Sequence, residues 1–323
     1  MSVKSVMVLG NQPTPTALAT ANTERGPSEI IWGSVGSPNA WVEDFLQDFR
    51  LGMYFEEDFN PAPNFAGGSF TGGLGKWALF STANGTLADD AIVGGGLRLK
   101  ASTTAQQGLT LGSTTGVYQL ITAAGLKQGK LAFECRVSVS TGSFANSTQD
   151  TFIGLMDNLP PASQVPITNT PGTLATLTNF IGFHKRGGTV NANDWNFVFG
   201  ANGQTIQYPT NMQAIVNAAK GAVPLVNTYY KLGFIYDPSP ALIPQTVTAV
   251  GSSNQTVGTA ARPIIRVFVD GVPLGTFLIP ADVTGATFPS GVMAQVISFM
   301  QQSTTGGIFS AVDWIRVAQM AIN

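Results

Sequence analysis

Charge is scarce in this chain: Lys, Arg, Asp and Glu make up only 11% of its 323 residues, about half the ~25% of an ordinary soluble domain. It has a single cysteine, Cys135, and a single histidine, His184. One cysteine excludes an intrachain disulfide and a thiolate metal cluster. One histidine means that any histidine-based triad has to use His184. The following Lys185, Arg186, Gly187 and Gly188 read as the exposed end of a strand, so His184 is expected to be a surface polar residue. Cys135 alternates with Phe133 and Val137, opposite to Glu134 and Arg136, and reads as a small core residue. The net charge of −2 and the lack of a basic stripe argue against nucleic acid. No apolar run approaches the ~20 residues of a membrane helix, so the apolar residues belong to a core or an interface. Met1 to Gly10 leads directly into the polar, Pro-containing stretch from Asn11 to Arg25, which lacks the pattern of a secretory signal, and synthesis and retention in a cytoplasm are expected.

Glycine is abundant, at 37 residues, and hydrophobic residues reach 44%. Serine, threonine and asparagine supply much of the polarity. A surface wetted by hydroxyls and amides suits tight turns between short strands. It also suits large protein interfaces, where burying Thr or Asn costs less than burying Lys or Glu.

Residues 1 to about 36 are polar, with Pro13, Pro15 and Pro27 and a brief apolar island at Ile30, Ile31 and Trp32, and they read as an extended arm. Ser37 and Pro38 then open a short helix as N-cap and first helical residue. Trp41, Val42, Phe45, Leu46 and Phe49 form its apolar face. Acidic residues concentrate between Glu43 and Asp58, either as a solvated face or as a docking surface for a basic partner. The division expected is therefore an arm with a short amphipathic helix over 1–53 and a β domain over 54–323.

From Tyr54 onward, short alternating or apolar runs broken by Gly, Asn and Pro indicate many antiparallel strands. The runs are Leu97 to Leu99, Val117 to Ile121, Lys130 to Ser140, Thr151 to Met156, Phe180 to His184, Trp195 to Phe199, Tyr230 to Tyr236, Ile264 to Val269, Leu274 to Leu278, Val292 to Met300 and Ala311 to Ala318. Asp270-Gly271 between two apolar runs signals a two-residue hairpin, and Gly200 to Gly203 a longer one. Met212, Ile215, Val216 and Ala219, followed by Gly221, read as one helix within the β region. Alternation places Phe133, Cys135, Val137, Leu155, Leu232, Phe234, Val267, Val269, Ile315 and Val317 inward. No repeat of 20 to 50 residues is visible, which counts against a propeller or solenoid.

Several segments resemble, in order, the strands of concanavalin-like lectin/glucanase domains. They are Tyr54-Phe-Glu-Glu-Asp-Phe59, Gly95-Gly-Leu-Arg-Leu99, Gly129-Lys-Leu-Ala-Phe-Glu-Cys-Arg-Val137, Phe152-Ile-Gly-Leu-Met-Asp157, Tyr230-Lys-Leu-Gly-Phe234, Arg266-Val-Phe-Val-Asp-Gly271 and Val312-Asp-Trp-Ile-Arg-Val317. The resemblance implies an all-β, two-sheet antiparallel jelly-roll sandwich. More narrowly, the Gly/Ser/Thr-rich character and the arm resemble structural proteins of tailed-phage virions, of the capsid decoration or head-fibre type. That implies a non-enzymatic protein of the virion, made in the host cytoplasm, whose partners are the major capsid protein or other virion proteins. The alternative is a carbohydrate-binding module of a tail fibre or host-attachment protein, with a glycan as ligand.

The same fold includes laminarinase-type glycosidases, whose chemistry needs two carboxylates about 5 Å apart. The resemblance implies a Glu-x-Asp-x-x-Glu arrangement on one strand. Glu134 is followed by Cys135-Arg136-Val137-Ser138 with no second acid, and Glu56-Glu57-Asp58 lacks the spacing, so no catalytic residue is assigned. No cofactor is assigned either. Calcium is kept as a lesser candidate on Asp89-Asp90, Asp157-Asn158 and Asn193-Asp194, all of which also suit turns. Trp195 and Tyr208 are candidates for stacking on a sugar ring, with a core position as the plainer reading.

The arm raises an imbalance of burial. Ile30, Ile31, Trp32, Trp41, Phe45, Leu46 and Phe49 together carry about 10 kcal/mol or more of potential burial, at roughly 1.5 to 3 kcal/mol per large side chain. One short helix has no core to receive them. A sandwich that closes its own core leaves them to a neighbouring subunit or lattice, so they are the expected assembly interface. A homo-oligomer follows, with a trimer as the specific expectation because capsid lattices offer threefold sites.

Overall fold

The computed structural model describes residues 27–32, 52–60, 64–65, 70–74, 76–82, 85–90, 96–100, 105–114, 116–140, 149–157, 166–170, 172–175, 179–186, 195–201, 203–208, 229–238, 246–249, 254–256, 263–278, 288–302 and 308–321. One helical turn, α1 (Glu29–Trp32), precedes β1 (Gly52–Glu57), β2 (Phe70–Leu74), β3 (Trp77–Ser81), β4 (Thr86–Asp89), β5 (Leu97–Lys100) and β6 (Gln107–Ser113). Then come β7 (Leu131–Val139), β8 (Gln149–Met156), β9 (Phe180–Lys185), β10 (Trp195–Gly200), β11 (Tyr230–Asp237) and β12 (Thr246–Ala249). The chain closes with β13 (Asn254–Thr256), β14 (Ile264–Val269), β15 (Val272–Leu278), β16 (Ala294–Gln301) and β17 (Phe309–Met320).

The strands form a ten-stranded sheet in the order β13-β12-β15-β14-β11-β7-β17-β5-β4, with β1 also on β17, and a seven-stranded sheet in the order β10-β9-β8-β16-β6-β3-β2. All pairings are antiparallel except β12 with β15. This is the two-sheet antiparallel jelly-roll sandwich expected from the sequence. Consecutive strands change sheet at β1–β2, β3–β4, β5–β6, β6–β7, β7–β8, β10–β11, β15–β16 and β16–β17, which wraps one sheet over the other. The last two strands are central: β16 lies between β8 and β6, and β17 between β7 and β5. Pairings over such sequence separations cannot form until the C-terminal strands arrive.

Alternation along each strand sends one set of side chains between the sheets. All ten residues expected to face inward belong to that core, where Phe133 stacks on Phe234 with ring centroids 5.2 Å apart. The β14–β15 hairpin turns through Asp270 and Gly271 with φ of 50° and 76°. Both values are positive, as a type I′ turn requires, and Gly271 meets that requirement without a Cβ penalty. After β10, Phe199 pairs with Gln207 across a loop that passes Gly203 at φ 74°.

Two expectations are corrected. Val117 to Ile121 is not a strand: it makes only isolated bridges from Tyr118 to Met293 and from Ile121 to Lys127, because the chain turns back through Thr122 and Gly125. Segments not expected as strands, β2, β3, β4, β6, β12 and β13, are strands through pairing with their neighbours. The helices expected over 37–49 and around Met212 to Ala219 lie outside the described residues.

Candidate functional site

Two polar clusters sit on the outward faces of the sheets, each built by strand alternation and then sealed by a passing segment. The first lies on the ten-stranded sheet. Glu134 points away from the inter-sheet core, between Gly233 of β11 and Arg316 of β17 in register. An outward glutamate would ordinarily meet water, yet Glu134 is fully buried, because α1 lies across it. One of its carboxylate oxygens, Oε2, accepts the Ser28 backbone N–H at 2.9 Å and the Trp32 indole N–H at 2.7 Å. Ser28 also accepts the Ile31 and Trp32 amides through its carbonyl, which closes the helical turn.

Apolar contacts complete this cradle. Ile31 and Trp32 cluster with Ala132, Ile235, Phe268 and Ala318, and the Trp32 and Tyr54 rings meet edge to face at 6.2 Å. Gly233 makes the close approach feasible, since a Cβ there would stand 2.4 Å from the Ile31 Cδ1. Burial pushes the Glu134 carboxyl above its usual range, opposed by the Ser28 and Trp32 donors and by the Lys231 charge.

The second cluster lies on the outward face of the seven-stranded sheet, where β8 begins and β9 ends. Asp150 and His184 are completely buried. The Asp150 carboxylate can only accept, so the His184 Nε2 donates to its Oδ1 at 3.1 Å, and Nδ1 accepts the Tyr208 hydroxyl at 2.7 Å. Burial lowers the His184 pKa despite Asp150, with Arg186 and Lys185 pushing the same way, so the ring is neutral. Asp150 Oδ2 further accepts the Gly172 amide at 3.0 Å and the Gln302 side-chain amide. Arg186 donates from Nε to the Gly172 carbonyl at 3.0 Å and lies over the Tyr208 ring at 4.4 Å. The arrangement pins 166–175 and 203–208 onto the sheet. Ile167, Leu174, Ile206 and Tyr208 from those segments cover an apolar patch that includes Phe152, Phe180 and Val296.

The expectation of an exposed His184 is thus overturned. β9 continues through Lys185 and is paired on both sides, by β8 and β10, so His184 is no strand end. Lys185 is itself buried: it points between the sheets, donates to the Gln149 carbonyl at 3.0 Å, and burial lowers its pKa to about 8. Nearby, Thr151 and Ser310 share a hydrogen bond at 2.6 Å across the two sheets. Cys135 is buried as expected, and burial pushes its thiol well up.

The calcium candidates are dispersed. Asp89 is exposed at the end of β4, whereas Asp90 is buried and takes Arg98 and the Tyr229 hydroxyl. Asp157 accepts the backbone and side-chain amides of Asn179. Asn158, Asn193 and Asp194 lie outside the described residues. Among the described residues, no three His, Cys, Asp or Glu side chains converge as a metal site would require. Trp195 is buried within the core rather than presented for stacking. Tyr208 is half-buried, with Arg186 on its ring.

Of the seven residues assigned to an assembly interface, Ile31 and Trp32 bury against this chain's own sandwich. Ile30 lies in α1, and Trp41, Phe45, Leu46 and Phe49 lie outside the described residues. Sequence reasoning placed Glu134 correctly on the side of its strand away from Cys135, and it missed the role of Gly233 beside it. The one legible signal was Gly233 itself, because an isolated glycine inside a strand often marks a close approach.

No protein-family description and no curated protein sequence matches this chain. Solved structures of similar fold include peanut lectin, at 10% identity, covering 84% of this chain and 99% of that one with a TM-score of 0.44. An endo-1,3-beta-glucanase from Streptomyces sioyaensis matches at 15% identity over 83% of this chain and 96% of that one, with a TM-score of 0.42. A protein of unknown function from Shewanella oneidensis MR-1 matches at 15% identity over 86% and 94%, with a TM-score of 0.41. At these values the likeness is one of overall layout, and the jelly-roll assignment rests on the strand pairing itself.

Proposed function

We propose that this chain is a non-enzymatic structural protein of a phage virion, a decoration or cement protein that binds the capsid surface through protein–protein contacts. The observation that carries the reading is the arm: Ser28–Trp32 is fastened to the outside of a sandwich whose core is already closed, by a buried carboxylate and a fitted apolar cradle. The low charge supports the same reading, because a hydroxyl- and amide-rich surface desolvates cheaply in a lattice.

The candidate polar cluster favours structure over catalysis. Asp150 and His184 have no accessible surface, and the groups around Asp150 hold loops in place. Glu134, the carboxylate that a glycosidase reading would have to use, is occupied by the arm. Mass spectrometry of purified virions from the source of this chain tests the reading: a fixed stoichiometry to the major capsid protein supports it. Absence from virions, together with reproducible binding on a glycan array, would replace it with the carbohydrate-binding alternative.

A further inference from the structure

We infer that the hairpin at 166–175 is an acid-released cover: protonation of His184 unfastens it from the seven-stranded sheet while the sandwich beneath stays closed. The inference is independent of the virion reading.

The hairpin is a unit in itself. Its own backbone bonds close it, with the Thr168 amide donating to Thr173, the Thr173 amide to Thr170 and the Ala175 amide to Pro166. Ile167 and Leu174 pack with Phe152, Phe180 and Val296 in a cluster distinct from the inter-sheet core. Side chains fasten the hairpin to the sheet. Asp150 Oδ2 accepts the Gly172 amide, Arg186 donates to the Gly172 carbonyl, and Gln302 and Gln106 donate to the carbonyls of Thr168 and Asn169. Lifting it therefore breaks no pairing between strands. A unit attached in this way can open at a free energy well below that of global unfolding.

Two of the fastenings, Asp150 and Arg186, converge on His184. Its Nε2 donates to Asp150 Oδ1, and its Nδ1 accepts the Tyr208 hydroxyl at 2.7 Å. A proton on Nδ1 turns that acceptor into a donor, and the Tyr208 hydroxyl proton loses its acceptor. The same proton makes His184 the third consecutive cation, with Lys185 and Arg186. Among the described residues, the facing carboxylate is Asp150 of β8, which is fully buried. Tyr208 is the titratable group of the 203–208 segment, while β10, β16 and the hairpin carry no ionisable side chain. No group on the hairpin can answer the added charge. The repulsion falls on Arg186, the one cation of the three that is not fully buried, and Arg186 is the residue that lies over the Tyr208 ring and holds Gly172. Water reaches the imidazolium once Arg186 and the hairpin move away.

Hydrogen exchange of peptides covering 166–175, corrected for its intrinsic pH dependence, tests the inference on the full chain. Opening should rise about tenfold between pH 7.5 and 5.5, because an opened His184 titrates near ~6.5. At pH 5.5 the hairpin should exchange while β7 and β17 remain protected, and a folded His184→Gln variant should lose the rise. Exchange of the hairpin and β7 together, or a rise that persists in folded His184→Gln, overturns the inference. His184 is the only histidine, so its imidazole signal in protein labelled with carbon-13 histidine needs no assignment. If His184→Gln does not fold, that signal decides: protonation should accompany opening of the hairpin, and an imidazole that protonates while the hairpin stays protected overturns the inference.

Discussion

Replacing Asp150 by alanine should unfasten the outer cover of the seven-stranded sheet. The carboxylate accepts from His184 Nε2, the Gly172 amide and Gln302, and Asp150 and His184 are fully buried. Each donor left without an acceptor costs about 1 to 3 kcal/mol. Because the segments at 166–175 and 203–208 can lift and let water in, the net loss should fall nearer the lower sum, at roughly 3 to 5 kcal/mol. For a chain of 323 residues that corresponds to a fall in Tm of about 4 to 7 °C. The same cluster fixes a pH response. His184 is held neutral, its pKa lowered by burial, so the native state binds fewer protons there than the unfolded state. Its contribution is fully present above the unfolded value of ~6.5 and is lost as pH falls below it, with a slope of up to about 1.4 kcal/mol per pH unit. Chemical denaturation of the wild type and His184→Gln at pH 7.5, 6.5, 5.5 and 5.0 isolates this slope as a difference. A wild-type curve parallel to that of His184→Gln, or an Asp150→Ala variant within 1 kcal/mol of the wild type, would refute the reasoning.

Glu134 responds in the opposite direction. Its pKa is raised by burial, so its contribution is present below the usual carboxylate range and lost as pH rises through the folded value; hydrogen exchange at residues 28–32 should show weaker protection at pH 8 than at pH 5, a difference that Glu134→Gln removes. Gly271→Val forces a branched residue to φ 76° and should cost about 1 to 2 kcal/mol by urea denaturation, whereas an unchanged midpoint would contradict the type I′ turn. A chain ending before Phe309 lacks β17, which pairs with β7, β5 and β1, and it should show no cooperative thermal transition by circular dichroism; a folded truncation would show that β17 is peripheral.

The sequence carried the core better than it carried the sites. Phe133, Cys135 and Val137 face inward because strict alternation on a nine-residue strand leaves no other assignment. Asp270-Gly271 was legible because its turn chemistry is local. β2 and β6 were not, since their Phe-Thr-Gly-Gly-Leu and Gln-Gly-Leu-Thr-Leu-Gly-Ser sequences contain glycines that read as turns; β2 is a strand through its pairing with β3, and β6 through β3 and the distant β16. His184 was misread because Lys185 and Arg186 suggest solvent, and only the pairing of β9 on both sides and the cover from Tyr208 reveal otherwise. The burial of Glu134 depends on a segment more than a hundred residues earlier, a contact that no local pattern encodes.

Electron cryomicroscopy of purified virions, at a resolution that traces strands, tests most directly the proposal that this protein assembles on a capsid. The account expects the two-sheet sandwich at symmetric positions on the outside of the capsid, with density for Ile31 and Trp32 over Gly233 and Glu134 in the cradle. Virions that carry no such density would contradict it.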